Sequence, residues 1–385
     1  MVKKSKNIVD FQKPYFIGTE AKEVIKTISK KQLIGPNNYI QKCEKLLQKQ
    51  LNCKKVLLAN SGTDALEMAC ILAEFSSNDE VIIPSFNFPS SGTAVIRSGA
   101  IPVFVDISNL DMNLTIDSIK KSITRKTKGI IIVHYAGISA DILKIIDLAK
   151  KYNLIVIEDA APAIYSQYKN QYLGTLGDFG VLSFHLTKNI FCGEGGALLI
   201  NNSKNIDRAY IIREKGTNRH LFSKGFISKY TWVDNGSSFI PSSLQASFLY
   251  AQLQKGRFIT NKRKYIFNLY HEFFINLNPK YNIQYPKVYK ENIGNGHFYW
   301  ILLPSKKRHL FIKMANFHGV ELTTHYEPLH NSLAGKKYGK TYVDLSKTIL
   351  LASQLVRIPI HTEMNKSDVK KIIKKLEITI IECFN

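Results

Sequence analysis

The 385-residue chain carries 53 Lys and Arg against 30 Asp and Glu, a formal net charge of +23, with 45% hydrophobic and 22% charged residues. That length exceeds one small core and fits a large domain plus a smaller one. No apolar run nears membrane-spanning length, MVKKSKNIVD lacks the apolar segment of a signal peptide, and five irregularly spaced cysteines argue against a disulfide framework or a zinc site.

The expectation is a reduced, cytoplasmic protein with no membrane partner. The lysines are spread along the chain, apart from modest clusters at 3–6 and 370–375. Such basicity reads as a Lys- and Ile-rich bias or as an attractor for an acidic substrate. A nucleic-acid face would need a denser patch.

In chain order, EAKEVIKTISKK (20–31) and NYIQKCEKLLQKQL (38–51) have helical apolar spacing, with LIGPNN (33–38) as the turn between them. KVLLANSGTDALEMACILAEF (55–75) reads as strand, turn and helix, the turn being Asn60-Ser61-Gly62-Thr63 and the helix beginning near Asp64. Free N–H groups and a positive dipole end suit a phosphate there, although a plain N-cap uses the same residues.

In DEVIIPSFNFPSSGTAVIRSGAIPVFVDI (79–107), VII and PVFVDI are strands flanking a helix around Ser91–Arg97. Phe86 and Phe88 lie in the connecting turn. One ring belongs in the core, and the other is free to stack on a planar ligand. KGIIIVHYAG (128–137) is a strand ending in His134-Tyr135, followed by the helix DILKIIDLAKKYN (141–153). His134 reads equally as a polar group at the ligand edge and as a satisfied structural histidine. Strand and helix alternate from 55 to 160, the signature of a doubly wound parallel sheet.

IVI (155–157) suits a buried parallel strand and delivers Glu158 and Asp159 to its carboxyl end, where ligands sit in open α/β sheets. VLSF (181–184) is another strand and delivers Ser183 and Lys188 nearby. An Asp and a Lys presented together are what pyridoxal phosphate requires: an amine for covalent attachment, and a carboxylate to keep the pyridine nitrogen protonated. The same two residues also read as a strand-end carboxylate beside a surface lysine. From about Lys255 the pattern changes. GRFITNKRKYIFNLYHEFFINL (256–277) is one long helix, and NGHFYWILL (295–303), GVELTTHYEPLH (319–330) and a helix at Ser367–Glu377 follow. The domains expected are 1–255 and 256–385.

EDAA (158–161), LGTLGDFGVLSFHLTKN (173–189) and GEGGALL (193–199) resemble the sugar aminotransferases of the DegT/DnrJ/EryC1/StrS family. The resemblance implies the aspartate aminotransferase-like fold type I: a large α/β domain with a mostly parallel sheet, plus a small C-terminal α+β domain. It also implies pyridoxal 5'-phosphate as cofactor, with Lys188 and Asp159 catalytic. Gly62, Thr63 and Ser183 would hold the phosphate, and Phe88 would stack on the ring. Many relatives read EDAAQ; this chain has Pro162 in place of the Gln, so that side-chain hydrogen bond is lost or supplied from elsewhere.

REKGTNR (213–219), KYTWVDNGSSFIPSSLQA (229–246) and HYEPLH (325–330) resemble one subgroup, the dTDP-4-amino-4,6-dideoxygalactose transaminases. The implied partners are a dTDP-sugar, glutamate and a second copy of the chain, with surface polysaccharide biosynthesis as the setting. Ser238 stands where relatives have an Asn that reaches the partner subunit's cofactor phosphate; otherwise it caps a helix starting near Pro241. His325, Tyr326 and His330, with His134, are the expected substrate contacts, and no metal is expected. Sugar dehydratases of the family carry His in place of the lysine, whereas Lys188 is present here. A cofactor-free basic regulatory protein is the remaining alternative, suggested by the charge alone.

Overall fold

The computed structural model describes residues 9–31, 33, 38–277 and 279–384, so most of the expected LIGPNN turn lies outside the described residues. The strands in chain order are β1 (Lys55–Ala59), β2 (Glu80–Pro84), β3 (Ile101–Val105), β4 (Thr127–Val133), β5 (Ile155–Asp159), β6 (Gln167–Tyr168), β7 (Gln171–Tyr172), β8 (Phe179–Ser183), β9 (Gly196–Ile200), β10 (Asn292–Ile293), β11 (Tyr299–Leu302), β12 (Lys340–Thr341) and β13 (Leu355–Ile358).

Eight of them form one sheet in the order β1-β9-β8-β5-β4-β2-β3-β12. β9 pairs antiparallel with both β1 and β8, and the remaining pairs are parallel. The sheet is therefore mostly parallel, as the alternating pattern implies.

Helices cover both faces, which explains why VLLA, VIIP and GIIIV are continuous apolar runs instead of alternating ones. Side chains still divide by strand periodicity. Leu57, Ile83, Ile131, Ile157, Val181 and Leu198 pack toward the helices Gly62–Leu72 and Pro89–Arg97. Val56, Ile82, Ile132, Val156, Leu182 and Leu199 face the other way, against Asn38–Leu51, Ile142–Tyr152 and Ser243–Gln254.

Beyond the helix Gly256–Ile275, β11 and β13 form an antiparallel pair. Tyr299, Ile301, Val356 and Ile358 share a separate core with that helix and with Ser305–Phe317 and Lys366–Phe384, while Trp300, Leu302 and Leu355 pack on the other face with Phe86 and Tyr135. The last helix runs past the expected Glu377 because its buried stripe continues through Val369, Ile372, Leu376, Ile380 and Cys383. The chain between returns to the large sheet. β12 pairs with β3 at the sheet edge, and Leu329 and Leu345 join the core around Val81 and Ile83. That excursion brings the HYEPLH segment back to the carboxyl ends of the parallel strands.

Candidate active site

Asp159 ends β5 and is 6% exposed. It shares a face of the sheet with Ile157, so its carboxylate meets the first turn of the Pro89–Arg97 helix. Ser91 Oγ donates to Asp159 Oδ2 at 2.8 Å, and the Ala161 N–H donates to Oδ1 at 3.2 Å. Asn87 Nδ2 donates to Ser91 Oγ at 2.8 Å, which turns the Ser91 hydroxyl proton toward the carboxylate. Burial pushes the Asp159 carboxyl above its ordinary value, against the Ser91 hydrogen bond and the charge of Lys188.

Lys188 follows β8 in a turn closed by its own N–H donating to the His185 carbonyl at 2.9 Å. The next residue fixes that turn: Asn189 Nδ2 donates to the Asn295 carbonyl at 3.1 Å. Asn189 Oδ1 accepts from His297 Nδ1 at 2.9 Å, so His297 carries its proton on Nδ1. The Lys188 side chain is half-buried, and no hydrogen bond or ion pair engages its amine among the described residues. Burial lowers its pKa, Asp159 opposes the shift, and Arg357 adds to it.

The Ser61–Thr63 turn caps the Gly62–Leu72 helix, with Ser61 Oγ accepting from the Asp64 N–H at 3.0 Å. Gly62 lies directly on Ser183: a Cβ at Gly62 would stand 2.9 Å from Ser183 Cβ. A Cβ at Gly196 would collide with the Ser61 carbonyl at 2.2 Å, so both glycines are needed for the close approach of turn and strands. Thr63 Oγ1 hydrogen-bonds Ser90 Oγ at 2.7 Å, which joins the two helix N-termini. Gly62, Thr63, Ser183 and Ser90 thus form one polar edge on the face that also carries Asp159.

The HYEPLH segment closes the other side. His325 Nδ1 hydrogen-bonds Tyr135 Oη at 2.7 Å, and its ring stacks on Tyr326 with centroids 3.5 Å apart. Tyr326 meets Phe88 at 6.0 Å and Phe86 at 5.6 Å. Phe86 is the core ring, fully buried, while Phe88 is 58% exposed. Burial, with Arg357 and Lys188, pushes His325 down to about 2, so this imidazole stays neutral and takes no positive charge into the cleft. His330 Nδ1 hydrogen-bonds Ser85 Oγ at 2.5 Å and holds the segment to the end of β2.

His134 is the correction. It is wholly buried on the opposite face, with Nε2 bonded to Glu158 Oε2 at 3.0 Å and Nδ1 accepting from the Ala140 N–H at 3.4 Å. Glu158 in turn accepts from the N–H groups of Gly174, Leu176 and Gly177. The satisfied structural histidine is the reading that holds, because adjacent residues of a strand point to opposite faces. Ser238 is exposed, and its carbonyl accepts from Asn60 Nδ2 at 2.9 Å. It does not cap a helix; Ser242 does, in a capping box with Gln245. Three groups that the sequence reading passed over belong to the site: Ser91, Tyr135 and Arg357.

The sequence profile of the DegT/DnrJ/EryC1/StrS aminotransferase family matches residues 15–377. The chain belongs to this aminotransferase family. It is 32% identical over 290 residues to a GDP-perosamine synthase of Escherichia coli O157:H7, covering 75% of each chain. It is 25% identical over 371 residues to a dTDP-4-dehydro-2,3,6-trideoxy-D-glucose 4-aminotransferase of Saccharopolyspora spinosa, covering 94% of each. Among solved structures, the PLP form of a putative sugar aminotransferase from Streptococcus pneumoniae superposes with a TM-score of 0.87 at 25% identity, over 98% of this chain and all of that one.

The aminotransferase is therefore PLP-dependent, with the α/β architecture of fold type I. The residues present fit the cofactor. A buried carboxylate without a cation in contact matches a protonated ring nitrogen, an unpaired amine lies within its field, and a capped helix N-terminus with three hydroxyls suits a phosphate. Among the described residues, no group of three or more His, Cys, Asp or Glu is placed to hold a metal ion, and no helix is long and apolar enough to cross a membrane.

Proposed function

We propose that this aminotransferase moves an amino group from glutamate to C4 of dTDP-4-keto-6-deoxyglucose, giving dTDP-4-amino-4,6-dideoxygalactose for surface polysaccharide biosynthesis. The observation that carries the reading is the seat of the HYEPLH segment. It comes from the C-terminal part of the chain, yet sets Tyr326 against Phe88 and His325 against Tyr135, beside Asp159 and Lys188. These are the positions from which a sugar ring can be steered.

Bound pyridoxal phosphate supplies an aldehyde that takes up and releases the amino group, and a ring that accepts electrons. Lys188 would hold it covalently, and the Lys188 amine, lowered in pKa by burial, would take and return the proton. Asp159, hydrogen-bonded by Ser91, would keep the ring nitrogen protonated. Gly62, Thr63 and Ser183 would hold the phosphate, and Phe88 would cover the ring.

Regiochemistry depends on which carbonyl is held within about 3–3.5 Å of the reacting amine. Support for C4 comes from the loops REKGTNR, KYTWVDNGSS and HYEPLH and from the 4-aminotransferase relative. The GDP-perosamine synthase relative makes a GDP-linked keto sugar the second substrate to test. The loaded protein is incubated with glutamate and either keto sugar, and the product is read by NMR. An axial amine at C4 on the dTDP sugar is expected. An amine at C3, an equatorial amine at C4, or turnover of the GDP sugar alone overturns the assignment.

The working unit in this reading is a homodimer with shared sites. The segment carrying Ser238 presents Phe226 and Trp232, 72% and 80% exposed, which suits an interface with a second copy. Mixing inactive Lys188→Ala with a Ser238→Asp variant should regain part of the activity. A fully active monomer in sedimentation, or no recovery on mixing, contradicts sharing.

A further inference from the structure

A cavity of about 280 Å³ lies between the helix Gly256–Ile275, the turn after β4 and the segment that carries β10. That is near the small end of the roughly 300–1,000 Å³ of small-molecule sites, room for a ring system with its charged end at the mouth. Ala136, Ile138, Phe267 and Ile293 make its floor apolar. Val288 and Tyr289 also line it and are left 47% and 40% exposed. Exposed apolar side chains at the edge of an apolar cavity are what a bound ring would cover.

The cationic groups around it are unpaired. Lys264 and Asn268 are one turn apart on the helix and share a face, and Lys290 comes from the opposite wall. Among the described residues neither lysine enters an ion pair or side-chain hydrogen bond, and the Asn268 amide has no partner. Asn292 is already committed: its amide exchanges two hydrogen bonds with the Ser139 backbone, at 3.1 and 3.0 Å. Two free ammonium groups over an apolar floor match a dianion on a flat body. A phosphate monoester, with about −1.5 to −2 charges at neutral pH, meets that need better than a carboxylate does.

The cavity also backs onto the supports of the catalytic site. Ala136 follows Tyr135, whose Oη bonds His325 Nδ1, and it holds a φ of 56°, which a residue with a Cβ adopts only where its surroundings impose it. Gly296 stands between Asn295 and His297, the two residues that clamp Asn189 beside Lys188. Asn295 Nδ2 also donates to the Pro162 and Ile164 carbonyls, at 2.8 and 3.0 Å, just beyond Asp159. The two turns press on each other, since a Cβ at Gly137 would collide with Asn295 Oδ1. We propose that this cavity is an effector site for a nucleoside monophosphate, its base on Phe267, Ile138 and Ile293 and its phosphate between Lys264 and Lys290, coupled to the Lys188 turn through Asn295. A ligand there packs residues 294–296 against the Tyr135–Gly137 turn and braces both supports. Such coupling is reciprocal: bound cofactor and bound effector tighten each other by the same factor. None of it depends on which sugar or donor the enzyme uses.

Thymidine and adenosine 5'-monophosphate serve as pyrimidine and purine probes, added to the cofactor-loaded enzyme so that the phosphate turn is already filled. At least one should raise the melting temperature saturably and change the absorbance of the bound cofactor over the same concentration range. Its half-saturating concentration should lie at least about tenfold below those of inorganic phosphate, the free nucleoside and phenylacetate. The double variant Lys264→Ala, Lys290→Ala should raise it at least about tenfold and leave turnover without effector within about twofold of wild type. No response to either nucleotide overturns the proposal. Binding that survives unchanged in the double variant does so too, and would place the nucleotide in the catalytic cleft. Phosphate, nucleoside or phenylacetate binding as tightly as the nucleotide overturns the ligand class. Binding without any change in cofactor absorbance or turnover overturns the coupling.

Discussion

Lys188→Ala should abolish overall amino transfer, with turnover falling by at least about 10⁴-fold, the upper end of what a positioned proton carrier contributes. The residue is asked to do two things that no neighbour duplicates. In the proposed function it would hold the cofactor covalently and would later move a proton at the carbon that gains or loses the amine. Its amine has no hydrogen-bond or ion-pair partner among the described residues and a pKa lowered by burial and by Arg357. An amine in that condition is closer to the neutral form that attacks and accepts protons. The surrounding lysines are no substitute, because the turn is clamped by Asn189 to Asn295 and His297 and only Lys188 is carried by it to the Asp159 edge. Borohydride reduction of the loaded protein followed by peptide mapping should place the pyridoxyl group on Lys188. A label on another lysine, or near-normal turnover in Lys188→Ala with wild-type stability, would end this assignment.

The pair at the centre was legible in the sequence because β5 and β8 are short, apolar and end in the residues that matter. IVI before Asp159 and VLSF before Lys188 mark two parallel strands whose carboxyl ends must converge. The turn at Ser61–Thr63 was legible as a helix start, and the close approach there follows from Gly62, which has no side chain, lying on the small Ser183. His134 shows what was missed and why. It follows an apolar run buried on both faces, so no alternation of polar and apolar residues marked its direction; only the pairing of β4 with β5 puts it opposite Glu158 and away from Asp159.

Ser91 was passed over because PSSG reads as an ordinary helix start, and its partner is 68 residues away. Arg357 did leave a signal, a single charge inside LVRI, but a charge on a short strand reads as solvent-exposed until the sheet pairing and the contact with the Phe298 ring are known. β9 was recognised as part of a motif and not as a strand. Its antiparallel insertion between β1 and β8 is a long-range choice that local pattern does not encode.

Asp159→Asn should retain cofactor but lose about 10²- to 10³-fold in turnover, the equivalent of about 3–4 kcal/mol at the rate-limiting barrier. Asn keeps the shape of Asp and can still accept from either Ser91 or the Ala161 N–H, so the site loses one of two hydrogen bonds and keeps its packing. What it removes is the negative charge. In the protein as it stands, burial drives the Asp159 carboxyl up and a single hydroxyl, one backbone N–H and the field of Lys188 hold it down. A cationic ring nitrogen in contact would tip that balance fully to the carboxylate, and the carboxylate would in turn keep the nitrogen protonated. A neutral amide offers no such return, so the ring accepts electrons poorly while Lys188 and the phosphate turn still bind it. Absorbance should therefore show loading near that of wild type, with melting temperature little changed and both half-reactions slowed together. Ser91→Ala, which leaves the charge but removes its hydroxyl donor, should slow turnover far less, by about tenfold. Near-normal activity in Asp159→Asn would show that the ring nitrogen takes its proton from elsewhere. Loss of cofactor instead of turnover would make Asp159 a binding residue and remove it from the chemistry.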